Sequence, residues 1–321
     1  MCFTLWSIRV CGQVGGRQMN DVNVSPRAVL WMSFRSSPVA MTAAAFVVMF
    51  LFGALFAPLL APQDPFDPIN LELINSFLPP AWAVGGDPAF LLGTDDQGRD
   101  MLSAILYGSR ISLTVGLAAV GFAATLGVTV GLVAGYAGGW VETLLMRLAD
   151  VQLTIPALLI ALMVDGFSRA VLPPEIHDEI ALYMLIFAIG IADWPQYARV
   201  VRSATLLQKQ SGYVAQAKLI GASDPAIVFG HILPNVMTSV LVLATLGLAL
   251  AVIAEATLSF LGVGMPPTTP SLGTLIRIGN DYLFSGEWWI TLFPSLALIL
   301  LALSVNLLGD WLRDALNPRL R

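Results

Sequence analysis

The feature that most constrains this chain is a series of apolar runs too long for a soluble core. A helix needs about 20 mostly apolar residues to cross the roughly 30 Å of bilayer hydrocarbon. Residues 39–61, 111–134, 236–261 and 290–308 reach or approach that length. Two shorter runs, 149–164 and 180–194, read as further spans; the first contains Pro156, and Asp178, Glu179 and Asp193 flank the second. Backbone groups in lipid must be satisfied by their own segment or by a closed sheet, and runs of this length point to helices. The expected fold class is all-α: a polytopic membrane protein of about six transmembrane helices. Composition agrees, because charged residues are only 12% of the 321 whereas a soluble domain carries about a quarter.

The runs divide the chain into an N-terminal segment 1–38, a first span 39–61, a polar segment 62–110, a bundle 111–308 and a tail 309–321. Within the bundle, residues 197–235 join the fourth and fifth spans. Residues 1–18 read as an extension ahead of a native start at Met19, since they lack the compact apolar stretch of a signal peptide. Lys and Arg collect on the cytoplasmic side of membrane proteins. With the N-terminus inside, twelve of the sixteen basic residues fall on inside segments, among them Arg35, Arg147, Arg199, Arg202, Lys209, Lys218 and Arg313. Arg99, Arg110, Arg169 and Arg277 fall outside. Both termini are therefore expected in the cytoplasm, and 62–110 outside it.

Several function classes are weakened by what the sequence holds. Cys2 and Cys11 offer no disulfide framework, and His177 and His231 are too far apart in sequence to suggest a metal pair. No metal or cofactor is expected on this chain. Asp64, Asp67, Asp87, Asp95, Asp96 and Asp100 lack the spacing of a calcium loop and read as a solvated face, or as a surface that meets a partner. The only lysines, Lys209 and Lys218, are not preceded by the glycines of a phosphate loop, so the chain cannot by itself cradle ATP. No His/Asp/Glu or Cys/His constellation suggests an enzyme. A secondary transporter would bring inverted repeats and intramembrane charge relays, and neither is read here.

Within the bundle, Gly127, Gly131 and Gly135 recur every four residues, a spacing that lets another helix approach closely. Tight packing is the favoured role and lining of a solute path the lesser one. Pro156 reads as a kink, Pro195 as the end of a span, and Trp194, Trp288 and Trp289 as interfacial anchors. Glu255 lies in an apolar span, where a carboxylate must face protein or water. A translocation-path role and a buried, hydrogen-bonded structural role are both open, with the structural one favoured. Arg147 and Asp150 read as a structural pair at the inner end of the third span, with a partner contact as the alternative. His177 reads as an exposed loop residue.

The most informative stretch is the inside connection, which reads YARVVRSATLLQKQSGYVAQAKLIGASDPAIVFGHILPN from Tyr197 to Asn235. A helical run from Tyr213 to Ile220 meets Gly221, and Ser223-Asp224-Pro225 opens a second helix, with Ser or Asp suited to its cap and Pro225 to its first turn. His231 through Asn235 then end that helix before the next span. Two short helices about a sharp turn make a compact knob outside the membrane. Val214, Ala217, Leu219 and Ile220 can dock while Gln216 and Lys218 stay wet, which suits a groove on a partner protein.

This stretch resembles the cytoplasmic coupling loop of binding-protein-dependent ABC importer permeases, in particular the C-type permease of the dipeptide/oligopeptide/nickel group. The matching residues are Tyr213, Val214, Ala217, Lys218, Gly221, Ala222, Ser223, Ile227 and His231 through Pro234 and Asn235. Ala215 stands where that loop often has Glu, and Gln216 where it usually has Ala. The resemblance extends to Leu92-Gly93-Thr94-Asp95-Asp96-Gln97-Gly98-Arg99-Asp100, to Gly135-Tyr136-Ala137-Gly138-Gly139-Trp140, to Glu255 through Gly264, and to Asn306 through Asp314, covering about residues 27 to 321.

The resemblance implies a type I ABC importer permease fold in a bacterial cytoplasmic membrane. It also implies a heterodimer with a B-type permease, two cytoplasmic ATPase subunits that use ATP and Mg, and an extracytoplasmic solute-binding protein. Nucleic acid is not an expected partner. Peptides are the leading solute class, with nickel complexes, sugars and opines as alternatives. A Gly221→Asp change is expected to abolish transport while leaving insertion intact.

Overall fold

The computed structural model describes residues 26–65 and 73–316. The expectations for residues 1–18, for Asp67 and for Arg319 and Arg321 lie outside the described residues. Helix α1 (Pro26–Ser36) leads into α2 (Pro38–Leu55), where Ser37 caps the start by accepting from the Ala40 amide at 3.3 Å. A break at Phe56 and a single turn, α3 (Ala57–Leu60), complete the first apolar run. Residues 73–100 hold a short 3-10 turn, Leu73–Asn75, and mostly irregular backbone up to Asp100, which caps the next helix: its Oδ2 accepts from the Ser103 amide at 2.8 Å and the Ser103 hydroxyl at 2.6 Å.

The chain then continues through α4 (Met101–Ala137), α5 (Gly139–Leu153), α6 (Ala157–Val171) and α7 (Pro174–Lys209). Beyond them come α8 (Gly212–Leu219), α9 (Asp224–Ile227), α10 (Leu233–Phe260), α11 (Leu272–Tyr282) and α12 (Trp288–Leu316). Four helical stretches among the described residues are long and apolar enough to cross a membrane: α2, α4, the stretch Asp224–Phe260 that contains α10, and α12. Helices α5 and α6 together pass the same test but are bent by 87° at Thr154–Pro156. Pro156, which lacks an N–H, sits at the start of α6, where no intrahelical donor is required.

Helices α4 and α7 run parallel in close register. A Cβ on Gly127 would lie 2.4 Å from Tyr197 Cβ, one on Gly131 2.6 Å from the Ala198 carbonyl, and one on Gly135 2.8 Å from Thr205 Cβ. The glycine stripe is thus a helix-packing surface, and its residues are buried. At 1.5 Å per residue each helix is about 55 Å long, well beyond the roughly 30 Å of hydrocarbon.

Pro195 does not end its helix; it lies inside the 36-residue α7. The proline removes the donor that Ile191 O would have received, and the side-chain amide of Gln152 on α5 donates to that carbonyl instead. Gln152 Oε1 in turn accepts from Trp194 Nε1 at 2.8 Å. Trp194 and Trp289 are buried rather than interfacial. Each satisfies its N–H inside the protein, Trp289 by donating to Thr94 O at 3.0 Å. Trp288 alone of the three is exposed.

The aspartates of residues 73–100 are not all solvated. Asp87 is exposed, but Asp95 and Asp100 are fully buried. Asp95 Oδ1 accepts from the amides of Gln97 and Arg99, both at 2.9 Å, and Arg99 Nε approaches its other oxygen at 3.7 Å. These residues hold a tight turn because a short carboxylate can bond amides two and four residues ahead.

Candidate functional site

The knob that the sequence placed between the fourth and fifth spans starts where α7 ends. Helix α8 closes on Gly221, which has φ +83°. The Ala222 amide donates to Ala217 O at 3.0 Å and the Gly221 amide to Lys218 O at 3.1 Å, the paired bonds of a Schellman termination. Residue 221 is glycine for its backbone angle alone, since nothing lies within 4 Å of where a Cβ would stand. Helix α9 then opens at Ser223, which takes the cap position without a side-chain cap bond, with Pro225 in the first turn.

Here the structure departs from the sequence reading. His231 through Asn235 do not end the second helix. A π turn over Val228–Ile232 carries it straight into α10, with the Leu233 amide donating to Val228 O. The shifted register leaves Pro234 in the first turn of α10, where its missing N–H is tolerated. Asp224–Phe260 is accordingly one 37-residue helical stretch. Asn235 Nδ2 donates to His231 O at 2.7 Å and to Tyr213 Oη at 3.3 Å, and the Tyr213 and His231 rings lie 6.1 Å apart. These three residues, far apart in sequence, knit α8 to the root of α10.

The apolar residues of the knob divide into two sets. Val214, Ala217 and Ile227 are buried in a cluster with Leu132 of α4, Ala149 of α5 and Tyr197, Ala198 and Val201 of α7. Leu219 and Ile220 point the other way and are 87% and 85% exposed; Phe229 is 66% exposed. One set roots the knob in the bundle and the other is left for something else to cover. Gln216 and Lys218 are exposed, as expected.

Sequence reasoning missed the anchor of this arrangement, Tyr136 in the last turn of α4. Its hydroxyl hydrogen-bonds Asp224, its carbonyl accepts from Lys209 Nζ at 2.6 Å, and the Lys209 and Lys218 ammonium groups stand 5.3 and 5.7 Å from its ring centroid. Both lysines of the chain therefore gather on one aromatic face, a cation–π arrangement. Only the coincidence of Lys209 and Lys218 flanking the knob hinted at this in the sequence.

The remaining candidates sort differently. Asp150 pairs with Arg199 of α7 at 2.5 Å, not with Arg147, which stays exposed. Arg202 pairs with Glu142, its Nε donating at 2.6 Å, so two ion pairs tie α5 to α7. Glu255 is wholly buried and hydrogen-bonded by Ser112 at 2.6 Å and Ser259 at 2.7 Å.

His177 is not an exposed loop residue. It is buried in the first turns of α7, with Nδ1 3.0 Å from Ser168 Oγ and Nε2 3.4 Å from Asp165. A Ser/His/Asp set thus does converge, against the sequence reading. Ser168 and His177 are both buried, so the set ties the end of α6 to the start of α7. Arg169 completes the group, pairing with Asp165 at 2.7 Å and donating to Gly262 O at 3.3 Å.

With this geometry in view, the comparisons with known proteins decide the family. The model of the binding-protein-dependent transport system inner membrane component matches residues 127–321, more than half of the chain. The chain belongs to that family. A second model, the N-terminal TM domain of oligopeptide transport permease C, matches residues 25–80. The permease is 38% identical over 297 residues to the di/tripeptide transport system permease protein of Pseudomonas aeruginosa, covering 92% of this chain and 93% of that one. It is 35% identical over 297 residues to the glutathione transport system permease protein of Pectobacterium atrosepticum, covering 92% of both chains. Among solved structures, a chain of the MetNI methionine ABC transporter in an inward-facing form superposes with a TM-score of 0.53 at 19% identity. That match covers 68% of this chain and 98% of that one. The likeness establishes the fold, that of an ABC transporter membrane subunit. The protein is a membrane-spanning permease subunit of an ABC importer.

Proposed function

We propose that this permease, paired with a B-type permease, passes di- or oligopeptides inward by alternating access. Two cytoplasmic ATPases drive it through the 197–235 knob, and an extracytoplasmic binding protein delivers the solute. In this reading both termini are cytoplasmic, residues 62–110 face outward, and ATP and Mg are held by the ATPases. The single observation that carries it is the two-sided knob. Val214, Ala217 and Ile227 are rooted in the bundle, while Leu219 and Ile220 stand uncovered outside it.

A rigid root matters because a force applied at the exposed face must reach the spans without being lost in loop motion. The π turn supports this transmission, since it joins α9 to α10 without an intervening loop. Peptide is favoured over other solutes by the names of the relatives, a di/tripeptide and a glutathione permease.

The test is co-purification of the assembled transporter with and without Leu219→Asp and Ile220→Asp. Both side chains are exposed, so insertion and abundance should be unchanged, while the ATPases and peptide uptake are lost. Retention of both by the double variant would refute the knob as the contact. Uptake by the purified polypeptide alone would refute the importer reading itself.

A further inference from the structure

The outer end of the bundle holds a buried acid that the transport reading does not use. Glu255 of α10 is 0% exposed, so it has no surface with which to meet a solute. Among the described residues no cation pairs with it. Its hydrogen-bond partners are two serines from two helices, Ser112 of α4 at 2.6 Å and Ser259 of α10 at 2.7 Å. A serine hydroxyl can donate to a carboxyl oxygen, so the acid is satisfied by neutral groups. A buried polar group without partners is costly, and here each carboxyl oxygen has one.

The bonds continue outward as a chain. Ser259 Oγ accepts from the Met265 amide at 3.3 Å, Met265 O accepts from Thr274 Oγ1 at 3.1 Å, and Ser271 Oγ accepts from the Thr274 amide at 3.3 Å. The path runs from Glu255 of α10 through the turn 261–271 into the first turn of α11. Helix α11 itself, too short to cross a membrane, lies directly on backbone. A Cβ on Gly273 would be 2.4 Å from Ala256 O, and one on Gly279 2.6 Å from the Thr291 amide. Leu272 is wholly buried in a cluster with residues of α4, α10 and α12, and Leu275 is wholly buried too. The sequence offered this segment only as a connecting loop.

We propose that Glu255 is a positioning residue. Through Ser112 and Ser259, and from Ser259 through Met265 to Thr274, it fastens α11 across the outer mouth of the bundle, so that α4, the end of α10 and α11 move as one closed body. The proposal rests on the orientation given under the proposed function.

The experiment uses the assembled transporter in right-side-out vesicles, with Cys2 and Cys11 replaced by Ser. Ile278→Cys, buried on α11 outside the hydrogen-bonded chain, reports opening to a membrane-impermeant maleimide, and the 98% exposed Phe284→Cys reports sidedness. Glu255→Ala should speed labelling at position 278 by about tenfold or more, and Ser112→Ala, a milder loss, by about threefold. Glu255→Gln should restore protection, because its amide both accepts from one serine and donates to another. A merely structural site for a charge would not be rescued by Gln. Unchanged labelling in both Glu255→Ala and Ser112→Ala would overturn the proposal, as would Gln labelling as fast as Ala. If position 284 labels only after permeabilisation, the orientation falls instead, and the position 278 comparison in permeabilised membranes still decides the clamp.

Discussion

Replacing Gly221 with a graded series isolates what the turn of the knob requires. The residue sits at φ +83° with no atom within 4 Å of a Cβ, so a substitution meets backbone strain and no clash. A left-handed conformation costs an L residue about 1–2 kcal/mol, less for Asn, whose short side chain bonds locally, and most for a β-branched residue. That cost shifts the local equilibrium about 5- to 30-fold. It falls on α8, an eight-residue helix of marginal stability alone, rather than on the buried cluster beneath it. Initial rates of labelled dipeptide uptake, measured on the assembled transporter in proteoliposomes, should fall in the order Gly, Asn, Ala, Val at equal abundance. Peptide-stimulated ATP hydrolysis should follow the same order. A flat series would refute the reasoning, and Asn as harmful as Val would show that bulk, not backbone angle, is what the position forbids.

Other perturbations have equally definite outcomes. Gly131→Leu would drive a side chain into the Ala198 carbonyl and Val201, part α4 from α7, and cost about 3 kcal/mol or more; it should be seen as low abundance and a lowered melting temperature in detergent. Trp289→Phe removes a buried bond to Thr94 O and leaves that carbonyl unpaired, for about 1–3 kcal/mol, and should expose residues 73–100 to protease. Burial pushes the Asp95 carboxyl up from 3.8 to about 6, against the pull of Arg99. The folded turn therefore holds the proton more tightly than the unfolded chain, so its stability is greatest at low pH and is lost as pH rises through about 6. Acidifying from about pH 7.5 to about pH 5 should stabilise the outer segment by about 1 kcal/mol, and Asp95→Asn should remove that part of the pH dependence. A melting curve with the same pH slope in both proteins would refute it.

What the sequence made legible follows from where the decisive forces lie. Hydropathy located α2, α4, α10 and α12 because lipid demands an apolar surface all round, and that demand is written residue by residue. The knob was legible because Gly221, Ser223 and Pro225 punctuate it locally. The errors concern long-range partners. Pro195 reads as a terminator until Gln152, from another helix, supplies the missing donor. His177 reads as a loop residue until Ser168 and Asp165 close on it, and Trp289 reads as an anchor until Thr94 takes its N–H. Asp150 was paired with its neighbour in sequence rather than with Arg199 in space. Helix α11 was invisible as a packed element because its burial depends on backbone-to-backbone contact at Gly273 and Gly279, which no periodicity announces.

The glycine-sealed pair of α4 and α7 has a further mechanical consequence. Two helices locked along their length make a strut much stiffer than either alone, and this one outreaches the bilayer. A strut about 55 Å long that tilts by about 10° around mid-membrane swings its tips about 5 Å in opposite directions. Small leverage at the inner tip is thereby felt at the far face with its sense reversed.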